Sequence, residues 1–286
     1  MVVNWSPFDG QLEVKLQELL NHPAVQAGFA PFLIGLITAA LFLKIRLSGL
    51  AIIAGFAVTV YLASSFSFDP LTTTRKIILM GLIGAALGLL LSLMRLPWVT
   101  FILPILGGAT AVWVVSRILQ QQPPQVVLLW GAGCAAYVAI LVWGMDMIEH
   151  DPLRSASAAT ALGMGTGACA LVGASALLGQ FGLALGSAAA AHLLIQWASG
   201  RTFPTGRVFT LPLSLLAGLI GCFAVLGAKL PWHTLPILAA IPLVTRFAPL
   251  PTSSVRIQIT VITLLTFALA GGAIYATWRI AGDVPF

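Results

Sequence analysis

The feature that most constrains this chain is a series of ten apolar segments, each near the length that a helix needs to cross a bilayer. Hydrophobic residues make up 59% of the chain and charged residues 8%, against roughly 25% charged residues in a soluble domain. In hydrocarbon every backbone N–H and C=O needs an internal partner, which a helix supplies. We therefore predict an all-α polytopic membrane protein with spans at about 27–43, 47–66, 77–94, 98–116, 126–145, 156–178, 182–198, 208–228, 234–248 and 257–278.

The boundary between the sixth and seventh segments carries no charge to mark it. Residues 156–198 are too long for a single span at about 1.5 Å per residue. Paired glycines favour tight turns, so the stretch from Gly179 to Gly182 is predicted to be a hairpin.

The tripeptide Leu-Pro-Trp occurs twice, each time after a basic residue and at the start of an apolar segment. Pro97 and Pro231 are 134 residues apart in a chain of 286, and a shift of 134 places the first five segments close to the last five. Five spans per half is an odd number, so the halves would face opposite ways, as in many secondary transporters. We predict inverted repeats at 27–145 and 156–279, joined by the loop 146–155. The alternative is a chance match in a leucine-rich chain.

The amino-terminal segment, 1–26, is predicted to lie on the membrane surface. Apolar residues at helical spacing alternate with polar ones over 8–20, a pattern typical of an interfacial amphipathic helix. Acidic residues such as Asp9 and Glu13 interrupt the apolar core that a cleavable signal would need. Residues 280–286 form a short tail.

The net charge of +6 does not indicate nucleic acid, because the basic residues fall singly or in pairs at the ends of apolar segments. There they anchor helices to lipid headgroups. An even number of spans places both termini on one side, which carries six Lys and Arg residues against eight on the other. The positive-inside rule then favours termini outside the cytoplasm of a bacterial inner membrane. Three cysteines within apolar segments indicate packing rather than disulfides.

Polar side chains inside spans are functional candidates by default, since they are costly in hydrocarbon. His192 and Gln196 share a helix face in the seventh span and could bind a solute or relay a proton. They could equally hydrogen-bond to a neighbouring helix. Arg246 ends the ninth span, where it could hold an anion or extend to the headgroups.

The junction of the halves carries Asp146, Glu149, His150 and Asp151. Such groups can bind a divalent cation or serve an intramembrane enzyme, but a solvated polar loop is the simpler interpretation. The chain contains no motif of a metalloprotease, nucleophile elbow or phosphate-binding loop, so we expect no catalytic residue, metal or cofactor. The glycines at 163–167, and those at 81, 84 and 88, are assigned to close helix packing.

Prolines interrupt the fourth segment of each half, at Pro104 and Pro236. Matched broken helices in inverted halves indicate a transport site. In arrangement alone this is similar to ten-span carriers of the bile-acid symporter and sodium/proton antiporter type, whose broken fourth and ninth helices cross, and to the five-plus-five drug/metabolite exporters. None of their binding motifs is present.

We therefore predict a secondary-transporter-like carrier or flippase for a small solute or lipid-linked molecule. The alternative is a non-transporting scaffold or anchor subunit with protein partners in the membrane. The candidate binding set, centred between spans four and nine, is Thr100, Pro104, Thr110, His192, Gln196, Thr234, Pro236, Thr245 and Arg246.

Ten spans with inverted halves place Trp98 and Trp232 on opposite sides of the membrane. Reporter fusions after Arg46, Arg117 and Arg154 should give alternating signals, with the fusion after Arg117 on the side of the termini. Signals that place both Leu-Pro-Trp turns on one side would contradict the inverted repeat.

Overall fold

A computed structural model describes residues 17–18, 20–44, 47–64, 66, 68–94 and 98–281. Every regular element in these residues is a helix, which confirms the all-α polytopic prediction. The helices are α1 (Val25–Phe42, its first turn π-helical), α2 (Leu50–Ala63), α3 (Thr73–Leu93), α4 (Val99–Leu119), α5 (Pro124–Met147), α6 (Pro152–Gly173), α7 (Ala176–Ser199), α8 (Arg207–Ala228), α9 (Thr234–Phe247) and α10 (Val255–Ala281).

Eight of these helices are long and apolar enough to cross a membrane, whereas α2 and α9 have 14 residues each. Fourteen residues extend about 21 Å, less than the roughly 30 Å of a hydrocarbon core. The predicted amphipathic helix over 8–20 lies largely outside the described residues.

The helix starts follow local sequence signals. α5 and α6 each begin with proline, whose missing N–H costs nothing at the first helical position. The Asp151 side chain accepts hydrogen bonds from the backbone N–H groups of Leu153 and Arg154 and caps α6. The connection between α5 and α6 is therefore only residues 148–151, shorter than the predicted 146–155.

The predicted hairpin at Gly179 to Gly182 is wrong, since these residues lie inside α7 and the turn is at Ala174 and Ser175. The glycines are used for packing. A Cβ atom on Gly179 would lie 2.8 Å from the Leu171 side chain, and one on Gly182 would lie 2.5 Å from the backbone of Gly167. Both distances are shorter than real side chains allow.

Glycine also brings the α6 and α7 backbones into direct contact further along. A Cβ atom on Gly163 would lie 2.4 Å from the Gly186 nitrogen, and one on Gly167 would lie 2.3 Å from the Leu183 nitrogen. Small residues at this spacing permit such approach in membranes, where van der Waals packing drives helix association. The assignment of glycines 163–167 to packing is confirmed.

Helix α8 forms the centre of the bundle. About 94% of its apolar stretch is buried, against 28% for α10. On one side α8 packs on α3, where a Cβ atom on Gly88 would lie 2.7 Å from the carbonyl oxygen of Arg207 and one on Gly81 would overlap Leu216. The packing role predicted for the α3 glycines is also confirmed.

Contacts between helix ends show an up-and-down arrangement. Thr100 at the start of α4 bonds to Arg207 at the start of α8, whereas Thr234 at the start of α9 bonds to Thr277 near the end of α10. Trp98 lies one residue before α4, and Trp232 lies two residues before α9. The two tryptophans therefore lie at opposite ends of the bundle. We call the end that carries Trp98 the Arg207 end.

The two halves pack differently. The equivalent pairs α2–α7 and α3–α8 contact each other, as pairs on a two-fold axis would. However, α6 packs extensively on α10, and the equivalent helices α1 and α5 have no comparable contact. The inverted repeat therefore stays a prediction.

Pro104 and Pro236 are predicted to mark non-helical or kinked backbone, and both lie within helices, so the non-helical form of that prediction is wrong. Pro104 is the sixth residue of α4, where it removes the hydrogen bond that a helical N–H would donate to the Thr100 carbonyl. Pro236 is the third residue of α9, where a first-turn N–H has no helical partner to lose. The proline in the middle of α9 is Pro242, which is buried and contacts Gly144 of α5. Helices α4 and α9 pack on separate neighbours, mainly α5 and α10, so the predicted site between them is not supported.

Adding one methyl group to the α6–α7 contact should destabilise the fold. Gly167→Ala places a Cβ against the α7 backbone, and overpacking of this kind costs about 1–3 kcal/mol or more. Gly271→Ala in α10 is the matched control, because nothing lies within 4 Å of its added Cβ. Thermal unfolding in detergent should show a lower midpoint for the first variant and an unchanged or higher one for the second. Equal midpoints would contradict the packing argument.

Candidate functional site at the Arg207 end

A polar cavity opens at the Arg207 end, where α3 ends, α4 begins, α5 ends and α8 begins. Its volume is about 780 Å³, within the usual range of ligand pockets. The lining combines apolar side chains with a charged cluster and consists of Leu91, Ser92, Met94, Thr100, Asp146, Met147, Glu149, His150, Gly206 and Arg207.

Arg207 is the centre of the charged cluster. Its Nε donates to Asp146 Oδ1 at 2.8 Å, and its Nη2 lies 3.3 Å from Asp146 Oδ2. Nη2 also donates to Thr100 Oγ1 at 3.1 Å. Glu149 Oε2 lies 3.1 Å from Nε but receives no hydrogen bond, because the single Nε proton points to Asp146. One guanidinium is thus shared by two carboxylates.

The environment of Glu149 favours its protonated form. The side chain is only 6% exposed, and burial together with the negative charge of Asp146 raises its pKa to about 7, with Arg207 opposing the rise. Its Oε1 lies 3.3 Å from Nε2 of His150, whose side chain is 93% exposed. The cluster can therefore exchange a proton near neutral pH.

Helix dipoles do not explain the cluster. Arg207 is the first residue of α8 and Asp146 the second-last of α5. A cation at a helix N-terminus and an anion at a C-terminus both oppose the macrodipole. These charges therefore stabilise each other at the edge of the cavity and do not serve as helix caps.

Hydroxyl groups support the cluster from the protein interior. Thr205 Oγ1 donates to the backbone oxygen of Glu149 at 3.2 Å, and Ser155 Oγ lies 2.7 Å from Thr205 Oγ1. Ser48 Oγ donates to the Pro204 carbonyl at 3.2 Å. The segment before α8 is thus fixed to α6 and to the start of α2.

Three other arginines at this end cap helix C-termini. Arg154 pairs with Asp151 at 2.9 Å and donates to the Ala248 carbonyl after α9. Arg246 donates to the Met147 carbonyl of α5 at 2.9 Å. Arg256 donates to the Trp197 and Ala198 carbonyls of α7. Cations at these positions agree with the macrodipole and satisfy free carbonyls.

Only Thr100 of the predicted binding set lines the cavity. Arg246 lies nearby as the cap of α5.

His192 and Gln196 are fully buried in α7, with the His192 ring 5.3 Å from that of Phe209. The Gln196 amide nitrogen donates to the Pro152 carbonyl at 3.4 Å. A backbone group of Phe203 lies near His192, yet neither ring nitrogen makes a hydrogen bond of normal geometry.

The other predicted hydroxyl groups have partners within their own helix or on a neighbouring helix and do not converge on one site. Thr110 Oγ1 donates to the Leu106 carbonyl at 2.8 Å and Thr245 Oγ1 to that of Ile241 at 2.6 Å. Thr234 Oγ1 lies 3.0 Å from Thr277 Oγ1 at the opposite end of the bundle. Bonds to the preceding turn are the usual arrangement for threonine inside a helix.

Sequence reasoning did not identify Arg207 as a site residue, although it considered Asp146 and Glu149 for metal binding. Within the described part of the chain, no three His, Cys, Asp or Glu side chains are placed to hold a metal ion. In the sequence Arg207 is only a charged residue at the edge of an apolar segment. Residues of this kind are common in membrane proteins, so the pattern does not indicate a site. The pairing of Asp146 with Arg207, 61 residues later, is a tertiary feature.

Comparison with protein-family models and with curated proteins finds no match to this chain.

Glu149 should make the stability of the protein fall as pH rises. Its pKa is about 7 in the fold against an ordinary 4.5, so the folded protein keeps a proton that the unfolded chain has released. The stabilisation is complete below about pH 4.5 and is lost as pH rises through 7, by about 3 kcal/mol in total.

The measurement is thermal unfolding between about pH 5 and pH 8, in a His150→Ala background that removes the neighbouring imidazole. Glu149→Gln, which cannot titrate, should lose less stability over this range than the background protein. Parallel curves would show that the cluster does not bind a proton there.

Proposed function

We propose that the protein is a carrier of small polar solutes in the bacterial inner membrane, and that solute enters through the cavity at the Arg207 end. The observation that carries this proposal is the buried cluster of Arg207, Asp146 and Glu149 in a cavity at the mouth of the bundle. Ionisable groups in membrane proteins are costly, face cavities and mark solute or proton pathways.

The cluster suits the recognition of polar solutes. Arg207 has donors beyond those given to Asp146 and Thr100, and a guanidinium binds carboxylate or phosphate groups well. Asp146 and Glu149 can in turn accept from an amino or hydroxyl group. A solute that replaces one of these contacts would loosen the link between α5 and α8, and this loosening would begin the conformational change.

His192 and Gln196 extend this proposal into the bundle. His192 contacts Phe209, two residues after Arg207 in α8. Gln196 Oε1 is buried without a hydrogen-bond partner, and neither His192 ring nitrogen makes a hydrogen bond of normal geometry, although a backbone group of Phe203 lies near the ring. Such atoms cost free energy unless water or a ligand satisfies them. We propose that the polar atoms of His192 and Gln196 line a path into the bundle. This path fills with water or solute when the cavity at the Arg207 end extends inward.

Inverted repeats and orientation belong to the same proposal. The α2–α7 and α3–α8 contacts would lie on the two-fold axis between the halves, where inverted-repeat carriers rearrange. The Arg207 end lies opposite the termini and carries the larger share of basic residues. The positive-inside rule assigns it to the cytoplasm.

A scaffold subunit is the alternative, and two observations favour it. Helices α4 and α9 do not meet at a central site, and α6 packs on α7 through direct backbone contact. A scaffold needs no central site and no moving helices.

Transport can be tested with proteoliposomes loaded with a mixture of amino acids, organic acids and sugars. Mass spectrometry of the external solution should show protein-dependent release of one solute class from the vesicles. We expect Arg207→Gln to reduce that flux more than ten-fold. Thr100→Val, which removes one hydrogen bond to Arg207, should reduce it a few-fold.

The matched control is Arg117→Gln, because Arg117 is exposed at the other end of α4, and its flux should equal that of the unmodified protein. Thermal unfolding identifies variants that fail to fold. No protein-dependent flux of any solute, or equal flux in all three variants, would favour the scaffold.

A further inference from the structure

A narrow apolar groove runs between α7 and α10 on the outer surface of the bundle. Its volume is about 290 Å³. Leu193, Leu194 and Trp197 line it on α7, and Ile259 and Leu264 line it on α10. Leu194, Trp197 and Leu264 are 42%, 46% and 67% exposed, so the groove opens outward, where lipid surrounds a membrane protein.

A cation lies at the mouth of this groove. Arg256 is one turn before Thr260 and two turns before Thr263, both of which line the groove, so all three share one face of α10. Its Nε and Nη2 donate to the Trp197 and Ala198 carbonyls at 3.1 and 2.9 Å. These bonds hold the guanidinium over the groove and leave Nη1 free to donate elsewhere.

Arg256 has carbonyl partners at the end of α7 but no acidic partner among the described residues. Among the described residues, no carboxylate lies within ion-pair distance of Arg256 or of the exposed Arg201 that follows α7. Two other arginines at the same end of the bundle differ in this respect, since Arg207 and Arg154 each have acidic partners. The mouth of the groove therefore attracts an anion.

We propose that this groove binds an anionic phospholipid, with one acyl chain along α7 and α10 and the phosphate at Arg256 and Arg201. An apolar channel next to a cation without a carboxylate partner matches a lipid, in which the phosphate and the acyl chain are covalently joined. A free phosphate ion would use the cation and leave the groove empty. Trp197 lies at the same level, and indole rings favour the interface between headgroups and hydrocarbon.

The bound lipid has a structural consequence. Helices α6 and α7 and helices α6 and α10 pack closely, whereas α7 and α10 contact each other little. A chain in the groove fills that gap and links α10 to the core of the bundle. The lipid should therefore stabilise the folded protein, and this site does not depend on the proposed transport.

The test measures binding of phosphatidylglycerol and phosphatidylcholine to the purified protein by native mass spectrometry and by thermal unfolding. We expect phosphatidylglycerol to bind more tightly and to raise the unfolding temperature, whereas phosphatidylcholine does so weakly. Arg256→Gln should weaken phosphatidylglycerol binding about five-fold, the effect of one basic residue near a membrane surface. Arg279→Gln, at the other end of the same helix, is the matched control and should change nothing.

Ala190→Phe is a second variant, which fills the floor of the groove without touching the cap of α7. It should weaken phosphatidylglycerol binding while Arg256 is intact. Equal binding of the two lipids, or unchanged binding in both Arg256→Gln and Ala190→Phe, would overturn the proposal. Complete competition by inorganic phosphate would show an anion site without a lipid chain, which also overturns it.

Discussion

The direct backbone contact between α6 and α7 is the interaction on which the rest of the bundle depends. Gly163, Gly167, Gly182 and Gly186 contribute no side chain at the points where the two backbones are closest, so the helices approach more closely than any other residue would allow. Helix α6 also packs on α8, α9 and α10. The position of α6 against α7 therefore sets where the remaining helices of the second half can lie.

The Arg207 end shows two uses of arginine. Arg154, Arg246 and Arg256 satisfy the carbonyls that α9, α5 and α7 leave free at their C-termini, an arrangement that both hydrogen bonding and the helix dipole favour. Arg207 lies at a helix N-terminus, where the dipole is unfavourable. Arg207 is instead held by Asp146 at the edge of the cavity. Because Arg207 does not cap a helix as the other three arginines do, its cluster is the candidate site.

The segment map could be predicted because hydrocarbon imposes a simple rule on local sequence. Two predictions failed for a common reason. Glycines at 179 and 182 were assigned to a turn, and Pro104 and Pro236 to broken backbone, yet each residue type has several structural roles. The role depends on what lies opposite: Gly182 faces Gly167, and Pro236 occupies a first turn that needs no N–H. No pattern within one segment contains that information.

The sequence by itself determined the membrane class, the all-α fold and the number of helices, because an apolar chain in lipid must satisfy its backbone within each segment. It also determined that the glycines at 81, 84, 88 and 163–167 serve close packing. Only the tertiary structure decided which polar groups meet. Asp146 and Arg207 are brought together by α5 and α8, while Thr234 and Thr100 are carried to opposite ends. Such pairing depends on the order and tilt of packed helices, and these result from the shapes of many side chains acting together.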